Sequence, residues 1–182
     1  MLELKKWPEP GLIELRDLYE HVNQKYCLVQ LPLPLPEEQT RNYLNAVHTG
    51  ISGDKLLLTR GIFLDGILIG KTELNRYPDM DAELDIVIRN EYTGRGYGLE
   101  ALGMLLSEVT ASQWCVSVSA YVHRDNMHAR KLMMKAGMRQ GRPFQADILV
   151  PDHGTYRLKT VSGYEYHLDI QETYYEKSTG NS

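Results

Sequence analysis

The spacing of apolar residues divides the chain into a helical first part and a longer part that alternates strands and helices. Apolar side chains recur at helical spacing within residues 11–30, after Pro8 and Pro10, and a second helix is predicted to begin at Pro36-Glu37-Glu38. Between them, prolines alternate with leucines over 31–36, which favours a stiff, extended connector. A ligand for a proline-binding partner is the alternative for that stretch.

The middle of the chain shows the pattern of a β-meander. Asp65-Gly66 is a strong hairpin signal, and Tyr77-Pro78-Asp79 marks a second turn. Apolar and polar residues alternate after that turn, as expected for a strand with two different faces. The three predicted strands cover residues 55–63, 67–74 and 82–88.

The second half alternates helix and strand. We predict a helix over about residues 98–111, a strand over 114–122, and a helix that Asp125 or Asn126 caps and Gly137 ends. The resulting order, ααβββαβαββ, combines antiparallel hairpins with a β-helix-β crossover and indicates an α+β fold with a mixed sheet. The last two strands are predicted at residues 138–150 and 163–170, joined by a polar loop that contains Pro151, Asp152 and Gly154.

Composition indicates an ordinary globular protein. Of 182 residues, 42% are hydrophobic and 24% charged, so we expect one domain over 1–171 and a polar tail over 172–182. The net charge of -4 argues against nucleic-acid binding and against binding to an acidic membrane. Cys27 and Cys115 are far apart in apolar surroundings, which favours reduced thiols over a disulfide or a metal site. The N-terminus lacks a signal-peptide core, so we expect a cytoplasmic location.

The most informative stretch is Thr93-Gly94-Arg95-Gly96-Tyr97-Gly98, between an apolar strand and a predicted helix. Glycines leave backbone N–H groups uncovered, and a helix N-terminus adds partial positive charge, so the turn is suited to the pyrophosphate of a nucleotide-containing cofactor. A dinucleotide turn would need glycine where Leu99 stands, and no Walker lysine is present. A purely structural turn is the alternative.

Two segments in order resemble signatures of the GNAT acetyltransferase superfamily. Residues 82–98 resemble its fourth strand and acyl-CoA pyrophosphate loop, and residues 126–138 resemble its second signature, Asn-x-x-Ser/Ala through Lys-x-Gly-Phe. The likeness covers about residues 10–170 and is closest to the RimJ/RimL-like branch, which acetylates ribosomal-protein N-termini. It implies acetyl transfer from acetyl-CoA by direct attack in a ternary complex, without a metal. The acceptor would be a small-molecule amine or a protein N-terminus, and homodimers are a family habit.

The resemblance also assigns site residues. Glu83 is the first choice for the base that takes a proton from the amine, and Asp85 lies two residues further on the same strand face. Glu73 adds to these acids and hints at a cationic acceptor. Asn126 has two candidate roles, as a helix cap and as a partner of the pantetheine arm. The cofactor-binding residues implied are Ile86, Val87, Ile88, Thr93, Gly94, Arg95, Gly96, Tyr97, Gly98 and Asn126.

The chain departs from the family pattern at positions that matter for chemistry. Thr93 stands where the family has Gln, Arg or Trp, and Met134 and Ala129 replace a Tyr and a possible Ser. Neither replacement donates a proton well, so the proton donor to the leaving thiolate is open. Tyr121, His123 and His128 are the candidates, each with a purely structural alternative. Arg130 and Lys131 could meet the 3′-phosphate of CoA or be solvated helix charges.

A module that binds acyl-CoA without turnover is the alternative function that these replacements favour. A nucleotide-binding regulatory domain is a third reading, based on the glycine-rich turn alone.

Overall fold

The computed structural model describes residues 1–9 and 11–171, so the predicted tail over 172–182 lies outside the described residues. In these residues, eight strands form a mixed sheet and four α-helices cover it. No helix within the described ranges is long and apolar enough to cross a membrane. The strands are β1 Leu2–Lys6, β2 Ile51–Ser52, β3 Lys55–Leu64, β4 Ile67–Arg76, β5 Asp81–Ile88, β6 Ser117–His123, β7 Arg139–Asp152 and β8 Thr155–Asp169. The helices are α1 Leu12–Glu20, α2 Glu37–Thr49, α3 Tyr97–Ser112 and α4 Met127–Lys135.

The sheet has the order β1-β3-β4-β5-β6-β8-β7, with β2 paired to β3. The predicted meander is confirmed: β3, β4 and β5 pair antiparallel, and Asp65 and Gly66 take positive φ values of 49° and 85° at the first turn. The helix α3 then connects β5 to β6, and these two strands are parallel to each other. The mixed α+β class predicted from the element order is therefore confirmed.

Helices cover both faces of the sheet. On one face, residues of α1 and α2 such as Leu15 and Leu44 pack with Val87 of β5. On the other face, α3 and α4 contribute the largest core cluster, in which Leu84 of β5 takes part. Because successive strand residues point to opposite faces, the odd-numbered acids of β5 lie on the side of α1 and α2.

The N-terminal prediction was wrong in two details. The helix predicted within residues 11–30 ends at Glu20, and a separate single turn of 3₁₀ helix follows at Gln24–Tyr26. The chain leaves the helix because Asn90, at the end of β5, bonds to it twice: its backbone N–H donates to the His21 carbonyl and its side chain accepts from the Asn23 N–H. The strand β1 was not predicted, since five residues carry too little alternation to stand out.

The connector over residues 31–36 packs as a part of the fold. Leu35 is buried, and its carbonyl accepts two hydrogen bonds from the Arg16 guanidinium. Leu33 remains exposed and is followed by a cis peptide bond to Pro34. The expected packing of leucines is therefore met at Leu35 and, in part, at Leu31, but not at Leu33.

The last hairpin also differs from its prediction. No polar loop extends over residues 151–162; the turn is His153-Gly154, and β8 begins at Thr155. The pattern was misleading because β8 pairs with β6 only from Gly163 onward. Residues 155–162 pair with β7 alone, and most of their side chains are exposed, although Val161 is buried. The strand predicted from Trp114 likewise begins only at Ser117, since the Trp114 N–H donates to the Val109 carbonyl at the end of α3.

Candidate active site

The two central parallel strands separate part-way along their length. Strands β5 and β6 pair through three rungs, each a pair of residues that lie opposite one another. Beyond the third rung, β5 still pairs with β4 and β6 still pairs with β8, but β5 and β6 no longer pair with each other. A wedge therefore opens between them, and Ile86, Val87 and Ile88 lie on its β5 side. Backbone groups on that edge can bind an extended, amide-containing ligand. The three shared rungs are Asp81 with Ser117, Ala82 with Val118 and Glu83 with Ser119.

The glycine-rich turn lies at the open end of this wedge, between β5 and α3. Gly94 and Gly96 have φ values of 74° and 90°, and a Cβ at either would meet nothing within 4 Å. The N–H groups of residues 94–98 donate to no acceptor in the described part of the chain, whereas those of Leu99 and Glu100 both bond to the Gly96 carbonyl. Gly96 caps α3 without a side-chain hydrogen bond. Five N–H donors at this helix N-terminus are thus without a partner among the described residues, and an anion is favoured at such a place.

Three other residues complete the turn. The Arg95 guanidinium is exposed and lies 5.9 Å from the centre of the Tyr92 ring, which leaves its charge available beside the uncovered amides. Thr93 is exposed, and its hydroxyl donates to the Asn90 carbonyl at 2.8 Å. Gly98 allows close packing, because a Cβ there would be 3.3 Å from Ile88 Cδ1.

Asn126 lies at the start of α4, just beyond β6. Its side-chain oxygen accepts from the Ala129 N–H at 3.1 Å, so the predicted helix cap is confirmed. Its amide nitrogen donates to no group in residues 1–9 or 11–171 and is left for another partner. Arg130 is engaged by the protein: its Nε donates to the Tyr166 hydroxyl and its guanidinium lies 4.7 Å from the Tyr164 ring centre. His128 and Lys131 are exposed.

The two acids of β5 lie on the α1 and α2 side of the sheet, beside the wedge. Glu83 belongs to the last shared rung, is half-buried, and accepts a hydrogen bond from the Tyr77 hydroxyl at 2.9 Å. The Lys55 ammonium lies against the same tyrosine, 3.3 Å from its hydroxyl and 4.4 Å from its ring centre. Asp85 is more exposed, and its carboxylate is 3.6 Å from the Lys71 ammonium. Among the described residues, Glu83 therefore has no directly paired cation, whereas Asp85 has one.

Glu73 is buried, and its carboxylate is bonded to other side chains of the protein. The prediction that groups Glu73 with Glu83 and Asp85 as acids available to a cationic acceptor was therefore wrong for Glu73. Its carboxylate is 3.4 Å from the Lys71 ammonium and accepts hydrogen bonds from the hydroxyls of Tyr43 and Thr59. Burial raises the pKa of the carboxyl, but Lys71 and these two hydrogen bonds outweigh burial and leave the pKa below its ordinary value. Glu73 is thus the counter-ion of a fully buried lysine.

The β6 side of the wedge carries Tyr121 and His123. Tyr121 meets Phe144 of β7 edge to face, with 5.6 Å between ring centres, and His123 lies 5.4 Å from the Tyr26 ring. The His123 Nδ1 accepts from the Asp125 N–H at 3.1 Å. The sequence reasoning did not find Phe144, Tyr26, Tyr77 or Lys71, because these residues reach the site through strand register and long-range packing. The sequence signal for Lys71 is its spacing of two residues from Glu73, which places both side chains on one face of the strand.

A family model described as an acetyltransferase (GNAT) domain matches residues 3–139 of the chain. The chain belongs to the GNAT acetyltransferase family. The family predicted from the two motifs is therefore confirmed, and with it acetyl transfer to an amine as the reaction. No curated protein sequence matches the chain significantly.

Solved structures of GNAT proteins share the fold. One is RimL, the ribosomal L7/L12 alpha-N-protein acetyltransferase, in complex with coenzyme A: 17% identity, TM-score 0.73, 93% of this chain and 94% of that chain covered. Another is spermidine N-acetyltransferase from Vibrio cholerae with CoA and spermine: 17% identity, TM-score 0.69, with 93% and 96% covered. An N-acetyltransferase from Staphylococcus aureus Mu50 has 13% identity and a TM-score of 0.71, with 93% and 99% covered. The predicted RimJ/RimL-like branch is represented among these neighbours.

Proposed function

We propose that this GNAT protein transfers the acetyl group of acetyl-CoA to a primary amine by direct attack in a ternary complex. The observation that carries the proposal is the row of uncovered N–H groups over residues 94–98, placed at the open end of the wedge between β5 and β6. If the pyrophosphate of CoA binds at the turn, the pantetheine arm attached to it would lie along the wedge. Both parts of one extended cosubstrate are thereby matched by adjacent surfaces of the protein.

Each segment of acetyl-CoA has a candidate partner. The amides of residues 94–98 suit the pyrophosphate, and Arg95 adds a full charge beside it. The backbone edge at Ile86, Val87 and Ile88 and the free amide nitrogen of Asn126 suit the pantetheine arm. A backbone N–H on the same edge would stabilise the negative charge that develops on the thioester oxygen. Thr93 is left with a supporting role, since its hydroxyl is already bonded within the turn.

Glu83 is the base in this proposal. An alkylamine with a pKa of about 10.4 is mostly protonated at neutral pH, so attack on the thioester needs removal of a proton. Glu83 lies at the closed end of the wedge, is held by Tyr77 and lacks a paired cation. It can take that proton directly or through a water. Asp85 is the second choice because it already lies beside Lys71.

A covalent acetyl-enzyme is disfavoured by the state of the two thiols. Burial raises the pKa of Cys27 to about 11, and burial likewise raises the pKa of Cys115 to about 11. Thiols with such pKa values carry little of the reactive thiolate at neutral pH. Both cysteines are free in the structure, and we propose a reducing, cytoplasmic location on that basis.

The acceptor class is proposed from the neighbours. One acts on the N-terminus of a ribosomal protein, and another is named for spermidine and was solved with spermine. We propose a primary amine of one of these kinds: the N-terminus of a protein, or a small polyamine-like molecule.

Two measurements test the proposal. A thermal-shift screen should show that acetyl-CoA and CoA raise the melting temperature and that ATP and NAD do not, because a ligand that binds only the native state stabilises it. Release of CoA thiol should then depend on an added amine across a panel of polyamines and N-terminal peptides. Binding without amine-dependent release would favour the non-catalytic acyl-CoA module, and protection by ATP or NAD alone would favour the nucleotide-binding domain. Parallel lines in double-reciprocal plots would contradict direct attack.

A further inference from the structure

The leaving sulfur of CoA lacks a proton donor at the two helix positions where the family places one. Met134 is half exposed and Ala129 lies in the first turn of α4, and neither side chain can donate a hydrogen bond to sulfur. Breaking the carbon–sulfur bond leaves a thiolate, whose charge a nearby O–H or N–H would stabilise. The donor has therefore to be sought on another element that borders the wedge.

Strand register places Tyr121 at the closed end of the wedge. Glu83 pairs with Ser119 in the last shared rung, so the next side chains on the same face are Asp85 on β5 and Tyr121 on β6. His123 is two residues further along β6 on the same face, towards the open end of the wedge, where the pantetheine arm would lie. Of the candidate donors on β6, Tyr121 is therefore the one nearest to the place where the thioester would meet Glu83.

The Tyr121 hydroxyl makes no hydrogen bond to any described residue. Three other tyrosine hydroxyls are already bonded: Tyr77 to Glu83, Tyr43 to Glu73 and Tyr166 to Gln140. Burial raises the pKa of Tyr121, and the carboxylates of Glu165 and Glu83 raise it further, so the phenol keeps its proton at neutral pH. The edge-to-face contact with Phe144 fixes the ring.

We propose that the Tyr121 hydroxyl is the proton donor to the CoA sulfur in the acetyl transfer described above, on which this inference rests. The amine nitrogen forms a bond to the carbonyl carbon and the carbon–sulfur bond breaks. The Tyr121 proton passes to sulfur, which leaves as the thiol. Glu83 first removes one proton from the ammonium form of the acceptor and releases it to solvent. The nitrogen loses its second proton, after attack, to Glu83 or to water, and Glu83 again returns its proton to solvent. A proton from solvent restores Tyr121, so the protons balance.

The test compares Tyr121→Phe with wild type in single-turnover acetylation of the best amine from the panel. Phenylalanine keeps the ring against Phe144 and removes only the hydroxyl. We expect the rate of the chemical step to fall about 10- to 100-fold. This is at or below the low end of the usual effect of about 10²- to 10⁴-fold, because a thiolate is a fair leaving group. The dissociation constant for CoA and the KM for the amine should each change by less than about twofold. The melting temperature should change by less than about two degrees. The control Tyr156→Phe removes an exposed hydroxyl on the outer hairpin and should match wild type.

The other outcomes decide either against Tyr121 or against the proposed function. An unchanged chemical step in Tyr121→Phe, or a raised KM for the amine at an unchanged rate, would overturn the donor role and leave the proposed acetyl transfer intact. A large loss in His123→Gln with none in Tyr121→Phe would move the role to His123. Failure of wild-type protein to acetylate any amine, despite binding acetyl-CoA, would instead overturn the proposed function itself.

Discussion

The Tyr77 hydroxyl donates a hydrogen bond to the Glu83 carboxylate at 2.9 Å, in the last rung that β5 shares with β6. The donor comes from the turn that precedes the strand, and the acceptor lies where the central strands separate. The bond therefore holds one carboxylate oxygen at the closed end of the wedge. The other oxygen has no partner among the described residues and is free to accept a proton.

This arrangement predicts the behaviour of Glu83→Gln. Glutamine keeps the side-chain size and can still accept from Tyr77, but it cannot take a proton from the amine. We expect kcat to fall about 100-fold, with an unchanged dissociation constant for acetyl-CoA. Steady-state kinetics would measure the first quantity, and isothermal titration with acetyl-CoA the second. Turnover like that of wild type would remove Glu83 from the mechanism, and the exposed Glu38→Gln on α2 is the matched control.

The turn before α3 predicts a selective loss of cosubstrate binding in Gly96→Ala. Gly96 has a φ of 90°, which an alanine resists, so the variant should distort the row of N–H groups although no side chain blocks the space. We expect the dissociation constant for CoA in isothermal titration to rise about tenfold, the equivalent of about 1.4 kcal/mol. Gly53→Ala is the control, because Gly53 also has a positive φ of 62° and open space but lies in the turn between β2 and β3. Equal CoA affinity in both variants would argue against a pyrophosphate at the turn.

The sequence could predict this turn because its information is local. Three glycines, one arginine and the start of a helical pattern lie within eight residues, and the φ values of Gly94 and Gly96 follow from what glycine alone tolerates. The meander was predictable for the same reason, since its turns are marked by Asp65-Gly66 and Tyr77-Pro78. Short-range chemistry was thus sufficient for the cosubstrate side of the site.

The acceptor side could not be predicted in the same way. Glu73, Glu83 and Asp85 look alike in the sequence, yet Lys71 neutralises the first, contacts the third and leaves the second free. That difference depends on the register of β4 against β5 and on helix α2, which brings Tyr43 onto the sheet. Which of the three acids is paired with Lys71 depends on three-dimensional contacts, and residue spacing in the sequence does not predict those contacts.

Gly103 offers a stabilising substitution that leaves the site untouched. It lies within α3 on the solvent side, and a Cβ there would meet nothing within 4 Å. Alanine should raise the free energy of unfolding by about 0.5–1 kcal/mol, because glycine loses more backbone entropy in a helix. Urea denaturation would show a higher midpoint at an unchanged slope, with CoA affinity as in wild type. A lower midpoint would mean that the exposed face of α3 is packed against something that the described residues do not show.

The buried pair Lys71 and Glu73 predicts a pH-dependent loss of stability in Glu73→Gln. The variant leaves the buried ammonium of Lys71 without its nearest counter-ion, so we expect a loss of about 3–5 kcal/mol in the free energy of unfolding at pH 7. Because the fold lowers the pKa of Glu73, the charged carboxylate stabilises the native state fully above its ordinary pKa of 4.5. That contribution is lost as the pH falls below this value towards the lower pKa in the folded protein.

The difference between wild type and Glu73→Gln should therefore be largest near neutral pH and shrink below about pH 4.5. Urea denaturation at a series of pH values would measure it. The control Glu37→Gln removes the exposed partner of Arg41 on α2 and should leave the midpoint at pH 7 unchanged, since a solvated ion pair contributes little. Equal midpoints for Glu73→Gln and wild type at pH 7 would mean that Asp85 and Tyr43 alone suffice to hold the charge of Lys71 inside the protein.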